Sequence, residues 1–113
     1  MVAGVSPRDD DAATVLCFRS CAEAVAATGA KATVIIVPPL AVLASIREAA
    51  ESGIKLIVAI TEGMPIHDAL KARALVRDAG ARWIGASTPG LAIPGKIKLG
   101  FLPTSRSRLV RLV

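Results

Sequence analysis

Two stretches constrain the fold more than anything else in the chain. "ATVIIV", residues 32–37, and "IKLIVAI", residues 54–60, carry apolar residues at both odd and even positions. A strand with one wet face alternates polar and apolar residues, whereas a strand buried on both faces does not. Strands of the second kind belong to parallel sheets covered by helices. The segment between them has helical spacing. Val42, Leu43, Ile46, Ala49 and Ala50 fall on one side, with Arg47, Glu48 and Glu51 on the other. Pro38 and Pro39 end the first strand, and Gly53 sits where a C′ glycine belongs.

The flanking sequence extends this strand–helix–strand unit in both directions. "MVAGV" reads as a short strand and "SPRDDD" as a turn with a charge run. Residues 12–18 are ambiguous, although Val15, Leu16 and Phe18 suit a short extended piece. Ser20-Cys21-Ala22-Glu23 fits a capping box ahead of a two-turn helix, "CAEAVAAT", with Gly29 as its stop. After the second buried strand, Pro65 suits the first turn of another helix. Ala69, Ala72, Leu75, Val76 and Ala79 form its inner face, Lys71, Arg73, Arg77 and Asp78 its outer face, and Gly80 closes it. "RWIG" reads as a short strand, "ASTPGLAIPGK" as a Pro/Gly loop, and "IKLGFL" as a weak last strand. The order β, α, β, α, β, α, β with short linkers specifies an α/β fold, a parallel sheet with right-handed crossovers. At 113 residues the chain is expected to form one domain. Tyrosine is absent, so a core drawn from 53% hydrophobic residues must be built from Ala, Val, Ile and Leu.

Several function classes are disfavoured. The longest apolar run, Val34 to Ala44, has only eleven residues and two prolines, too short to span a bilayer. The opening "MVAGVSPRDDD" has neither a basic n-region nor a cleavage pattern, so secretion is not indicated. Cys17 and Cys21, in "CFRSC", lack a second ligand pair and are expected as reduced thiols; no metal site is expected. The net charge of +5 is uneven. Residues 1–95 hold nine basic and nine acidic side chains, and the five excess positives are Lys96, Lys98, Arg106, Arg108 and Arg111. Such a basic end attracts nucleic acid or acidic membrane, or is a solvated tail. No aromatic stacking platform accompanies the arginines, which leaves nucleic acid the weakest of these readings.

Ligands of open parallel sheets bind beyond the C-terminal ends of the strands. Three such ends are expected on one rim: Val37-Pro38-Pro39, Ile60-Thr61-Glu62-Gly63 and Gly85-Ala86-Ser87-Thr88. Glu62 is the acid at this rim, suited to accept from a ribose hydroxyl or an amide. Alternatively, Thr61 and Glu62 satisfy the first amides of the next helix. No second carboxylate pairs with Glu62, His67 is a lone histidine, and neither Ser87 nor Thr88 has an assignable base, so no catalytic residue is assigned. Neither G-x-G-x-x-G nor G-x-x-x-x-G-K-[ST] occurs.

"EAVAATGAKATVIIVPP", "SGIKLIVAITEGMPIHDAL" and "DAGARWIGASTPGLAIPGKIKLG" together resemble the α subunit of succinate–CoA ligase (succinyl-CoA synthetase), over roughly residues 1–102. The resemblance implies a three-layer, Rossmann-like CoA-binding domain with a parallel sheet, its first strand and glycine loop missing. It implies that residues 1–103 form this partial domain and that 104–113 are an unstructured basic tail. Val37, Pro38 and Pro39 would line the CoA groove, and Ile60, Thr61 and Glu62 would touch the cofactor. Arg8 stands near the position of a family lysine that attracts phosphate, although Asp9 falls closer to it. The family's G-P-N-C-P-G loop is replaced by Gly85-Ala86-Ser87-Thr88-Pro89-Gly90, and His67 does not match its phosphohistidine motif. The family reaction, a tricarboxylic acid cycle step, joins succinate and CoA at the expense of a nucleoside triphosphate and uses a β subunit. That implies a cytoplasmic or mitochondrial-matrix protein whose partners are CoA, a β subunit or a second copy of itself, with no membrane role. The alternative expectation is a ligand-free assembly fragment that associates through an exposed sheet edge.

Overall fold

The computed structural model describes residues 3–6 and 17–100. It holds strands β1 (Gly4–Val5), β2 (Cys17–Phe18), β3 (Ala32–Ile35), β4 (Leu56–Ala59), β5 (Arg82–Gly85), β6 (Gly90–Ile93) and β7 (Ile97–Gly100), and helices α1 (Cys21–Thr28), α2 (Val42–Glu51) and α3 (Ile66–Asp78). The fold is α/β with parallel sheets, as the alternation of segments requires. β3, β4 and β5 form a parallel sheet in chain order, with Ala32 opposite Leu56 and Leu56 opposite Arg82. β1 and β2 form a separate parallel pair.

Each helix stops and starts for a local reason. Ser20 Oγ accepts from the Glu23 amide at 3.2 Å, the first arm of a capping box, while the Glu23 carboxylate accepts from the Arg19 amide at 3.3 Å. Gly29, at φ 68°, ends α1 in the left-handed conformation that glycine adopts without strain. A 3-10 turn, Pro39–Ala41, leads into α2. Pro65 precedes α3 as its N-cap, one residue before the first helical turn.

The main hydrophobic cluster lies on one face of the three-stranded sheet, while the fully buried Val58 of β4 points to the other. Ile35 and Ala59 are register partners and Ile57 lies two residues before Ala59, so all three side chains point the same way. Onto them pack Val42, Ile46, Ala49 and Ala50 of α2, Ala72 and Val76 of α3, and the half-buried Cys21 and Val25 of α1. Among the described residues the buried core is wholly apolar, and its largest fully enclosed side chains are Ile46, Ile54, Ile57, Val42 and Val58. Glu48, on the outer side of α2, reaches across to α1: its Oε1 accepts from the Cys21 amide at 2.5 Å.

One segment departs from the expectation of a Pro/Gly loop over 86–96. Gly90–Ile93 is a strand, paired antiparallel with Ile97–Gly100. The Lys96 amide donates to the Ile93 carbonyl at 3.0 Å, closing a turn with Pro94 and Gly95 at its centre. Gly95 has φ 75°, so the turn carries proline at its second position and a left-handed glycine at its third, the type II pattern. At the open end Gly90 and Gly100 bring the two backbones together where a Cβ would strike a carbonyl oxygen. No helix among the described residues is long and apolar enough to cross a membrane. Arg8, Asp9 and residues 104–113 lie outside the described residues.

Candidate functional site

Because β3, β4 and β5 are parallel and in register, their C-terminal ends share one rim. Val37-Pro38-Pro39, Ile60-Thr61-Glu62-Gly63 and Gly85-Ala86-Ser87-Thr88 are therefore neighbours there, as their positions in the sequence require. Val37, Ile60 and Thr61 are half-buried, whereas Pro38, Pro39, Glu62 and Ser87 are exposed.

Contacts between the tips are specific. Thr61 Oγ1 donates to the Val37 carbonyl at 2.6 Å and accepts from the Val37 amide at 3.3 Å. On its other side the Thr61 carbonyl accepts from the Ser87 amide at 3.0 Å. Gly63, at φ 78°, lies so near the first tip that a Cβ there would stand 3.5 Å from Pro39 Cγ. Gly85, at φ 105°, passes so close to β4 that a Cβ would strike the Ala59 carbonyl oxygen. Ser87 adopts φ 62°, a left-handed conformation uncommon for a residue other than glycine, and Gly85–Ala86 is a cis peptide. Thr88 Oγ1 accepts from the Gly90 amide at 3.2 Å, tying the third tip to the hairpin. The base of the hairpin rests beside β4, where Gly100 comes near the Ile60 side chain.

The rim's chemistry is an apolar shelf with one acid. Neither lysine nor arginine occurs in the three tips, and Glu62 is their sole carboxylate. Leu40, 80% exposed, and Ile66, 78% exposed, continue the apolar surface from the first and second tips. A shelf of this kind suits a long ligand with an apolar, amide-bearing portion and hydroxyls for Glu62 to accept from. His67 is exposed in the first turn of α3. Among the described residues no cluster of His, Cys, Asp and Glu could hold a metal ion. Cys21 lies away from the rim, at the seam of α1 and α2. Burial pushes its thiol pKa up, a hydrogen bond from Ser52 opposes this, and the Glu48 carboxylate adds to the rise.

The sequence located the rim but not its internal wiring. Thr61 reads as a ligand-facing hydroxyl or a helix cap, and the structure turns it sideways onto Val37. The available signal was register: a threonine one rung past the last apolar pair of a central strand faces its neighbour's tip.

The pattern of the CoA binding domain family matches residues 1–63. The chain is 45% identical to succinate–CoA ligase [ADP-forming] subunit alpha 2 of Archaeoglobus fulgidus, over 91% of this chain and 37% of that protein. It is 36% identical to the Aquifex aeolicus succinate–CoA ligase [ADP-forming] subunit alpha, over 91% of this chain and 35% of that protein. With the malate–CoA ligase subunit alpha of Methylorubrum extorquens it shares 34% identity over 76% of this chain and 30% of that protein. The chain thus spans about a third of the length of these curated relatives. Among solved structures, the apo form of a dinucleotide-forming acetyl-coenzyme A synthetase from Ca. Korarchaeum cryptofilum superposes with a TM-score of 0.75 at 23% identity, covering 92% of this chain and 23% of that one. This last likeness is one of fold.

Proposed function

The chain belongs to the CoA binding domain family and is similar to succinate–CoA ligase α subunits, and on that premise we propose that its rim of strand tips holds coenzyme A. One observation carries the reading: the three tips are already joined to one another, through the Thr61 side chain to Val37 and the Thr61 carbonyl to Ser87. A shelf assembled before binding spares the ligand the entropy of ordering it. Val37, Pro38 and Pro39 form one wall of the groove. Ile60 offers an apolar surface, Thr61 its main chain, and Glu62 a carboxylate that accepts from a ribose hydroxyl or a pantetheine amide. Arg8, outside the described residues, is assigned to a phosphate on its position in the sequence alone. In the family's whole enzymes CoA is joined to succinate at the expense of a nucleoside triphosphate, with nucleoside diphosphate and phosphate released. The phosphorylated histidine and the nucleotide-activating β subunit are supplied from outside residues 1–113, so this module binds and orients rather than catalyses. Cytoplasm or mitochondrial matrix is the compartment that fits.

Isothermal titration of the purified chain with CoA tests the reading. Saturable heat is expected, with Glu62→Ala raising the Kd about tenfold, the loss of one hydrogen bond to a charged group. A folded protein that gives no heat up to millimolar CoA refutes it.

A second reading, association through a sheet edge, is favoured by β3. The carbonyls of Lys31 and Ile35 face β4, accepting from Leu56 and Ile60. Ala32, Val34 and Ile36 therefore turn their peptide groups to the opposite edge, and the Ile36 side chain is 61% exposed. Among the described strands β3 pairs only with β4. Such an edge is a template for a further strand. Light scattering without CoA tests it: a dimer that Ile36→Lys disperses supports edge pairing, and a monomer at high micromolar concentration refutes it.

A further inference from the structure

We propose that Thr61 is a positioning residue for CoA: its side chain splices the tip of β3 to β4 and thereby sets the place of Val37, Pro38 and Pro39. The inference rests on the CoA reading above and goes beyond it. It assigns the Thr61 hydroxyl to the protein and not to the ligand.

The argument is one of register. In the β3–β4 ladder Ile35 stands opposite Ala59, and the Ile60 amide donates to the Ile35 carbonyl at 3.1 Å. Two residues further, Val37 stands opposite Thr61, where the next main-chain rung would form. The β4 chain leaves the sheet there through Glu62 and Gly63, so the Ile60 carbonyl and the Glu62 amide, which would continue the ladder, do not pair with Val37; the Thr61 carbonyl faces the β5 side, as that of Lys55 does, and accepts from Ser87. Val37 is left with an amide and a carbonyl at a half-buried position and no main chain opposite. The Thr61 hydroxyl meets both, donating at 2.6 Å and accepting at 3.3 Å. A hydroxyl has one proton. Here the proton is committed to the Val37 carbonyl, so Thr61 has none to donate to a phosphate or an amide of the ligand. One residue therefore joins all three tips, with its side chain on the first and its main chain on the third. The position of Pro38 and Pro39 follows from Val37, because proline fixes φ and leaves the chain little freedom after it.

Amide hydrogen exchange and CoA titration on the same proteins decide the matter. In the wild-type chain without CoA the Val37 amide is expected to be protected. In Thr61→Val, an isosteric change, its exchange accelerates tenfold or more and the Kd for CoA rises by a similar factor. Thr61→Ser restores both, because the hydroxyl alone makes the splice. If Val37 is unprotected in the ligand-free wild type and becomes protected only on adding CoA, the proposal is overturned. The same holds if Thr61→Val weakens CoA while Val37 exchange stays unchanged, which is the signature of direct ligand contact. Should Thr61→Val fail to fold, the wild-type exchange measurement still decides. A wild-type chain that binds no CoA removes the proposed function, whereas unprotected Val37 in a chain that does bind CoA removes only the role of Thr61.

Discussion

Glu48 offers the sharpest test of how the helical layer is held. Helix α1 has only eight residues, fewer than the dozen or so that an isolated helix needs to be marginally stable in water. It is stabilised from outside, by Ser20 and Gly29 at its ends and by the Glu48 carboxylate, which reaches 27 residues back in sequence to accept from the Cys21 amide at 2.5 Å. A negative charge at a helix N-terminus interacts favourably with the helix dipole, by about 0.3–1 kcal/mol. A hydrogen bond to a charged acceptor adds about 1.5–3 kcal/mol when shielded and less when solvated. Glu48 is exposed, so Glu48→Ala is expected to cost about 1–2 kcal/mol. For a domain of this size that lowers Tm by roughly 4–8 °C per kcal/mol. Glu48→Gln keeps the acceptor and loses the charge, so its cost stays below about 1 kcal/mol, in line with the dipole contribution. Urea denaturation followed by far-UV circular dichroism gives both values, with the m-value unchanged. The Glu48 carboxylate also helps to raise the Cys21 thiol pKa, so both variants should alkylate faster at Cys21 even as they lose stability. A Glu48→Ala protein within about 0.5 kcal/mol of wild type, the range of neutral surface changes, refutes the reasoning.

Three further expectations follow from packing and titration. Gly85→Ala puts a Cβ into the Ala59 carbonyl oxygen at a φ of 105°; it should cost about 2 kcal/mol or more by denaturant titration, and a neutral result would mean that β5 approaches β4 less closely. Ile57→Ala empties the centre of the sheet at a fully buried position, costing about 2–5 kcal/mol by the same measurement. Burial, the largest cause, raises the folded Cys21 pKa, so the unfolded thiol loses its proton first as pH rises. Stability is then full below the unfolded thiol pKa and declines above it, and Cys21→Ser should flatten that alkaline decline in pH-dependent melts.

The legible parts of the fold were those where one physical signal acted alone. The double-sided apolar runs at 32–37 and 54–60 gave β3 and β4, and the Ser20/Glu23 and Gly29 signals bracketed α1 at its observed ends. β6 was missed because Pro94 and Gly95 dominate their surroundings and read as loop. The signal that could have found it is the flanking symmetry: Leu91-Ala92-Ile93 and Ile97-Lys98-Leu99 around a proline–glycine pair are two strands about a type II turn. At the rim, strand ends located the tips, since parallel strands must finish together. Sequence could not show that the Thr61 hydroxyl turns along the sheet toward Val37 rather than outward, because that depends on how the two chains run on past their last register pair, Ile35 with Ala59.

The chain-order arrangement of the central strands has a consequence for how the sheet assembles. The β3–β4 ladder joins residues 24 apart, as in Ala32 with Leu56, and the β4–β5 ladder joins residues 26 apart, as in Leu56 with Arg82. Loop-closure entropy grows only with the logarithm of the span, so the two closures oppose assembly almost equally. Neither pairing has a head start over the other. Each also returns to Leu56–Ala59, which makes that four-residue strand the common seed from which both neighbours are recruited.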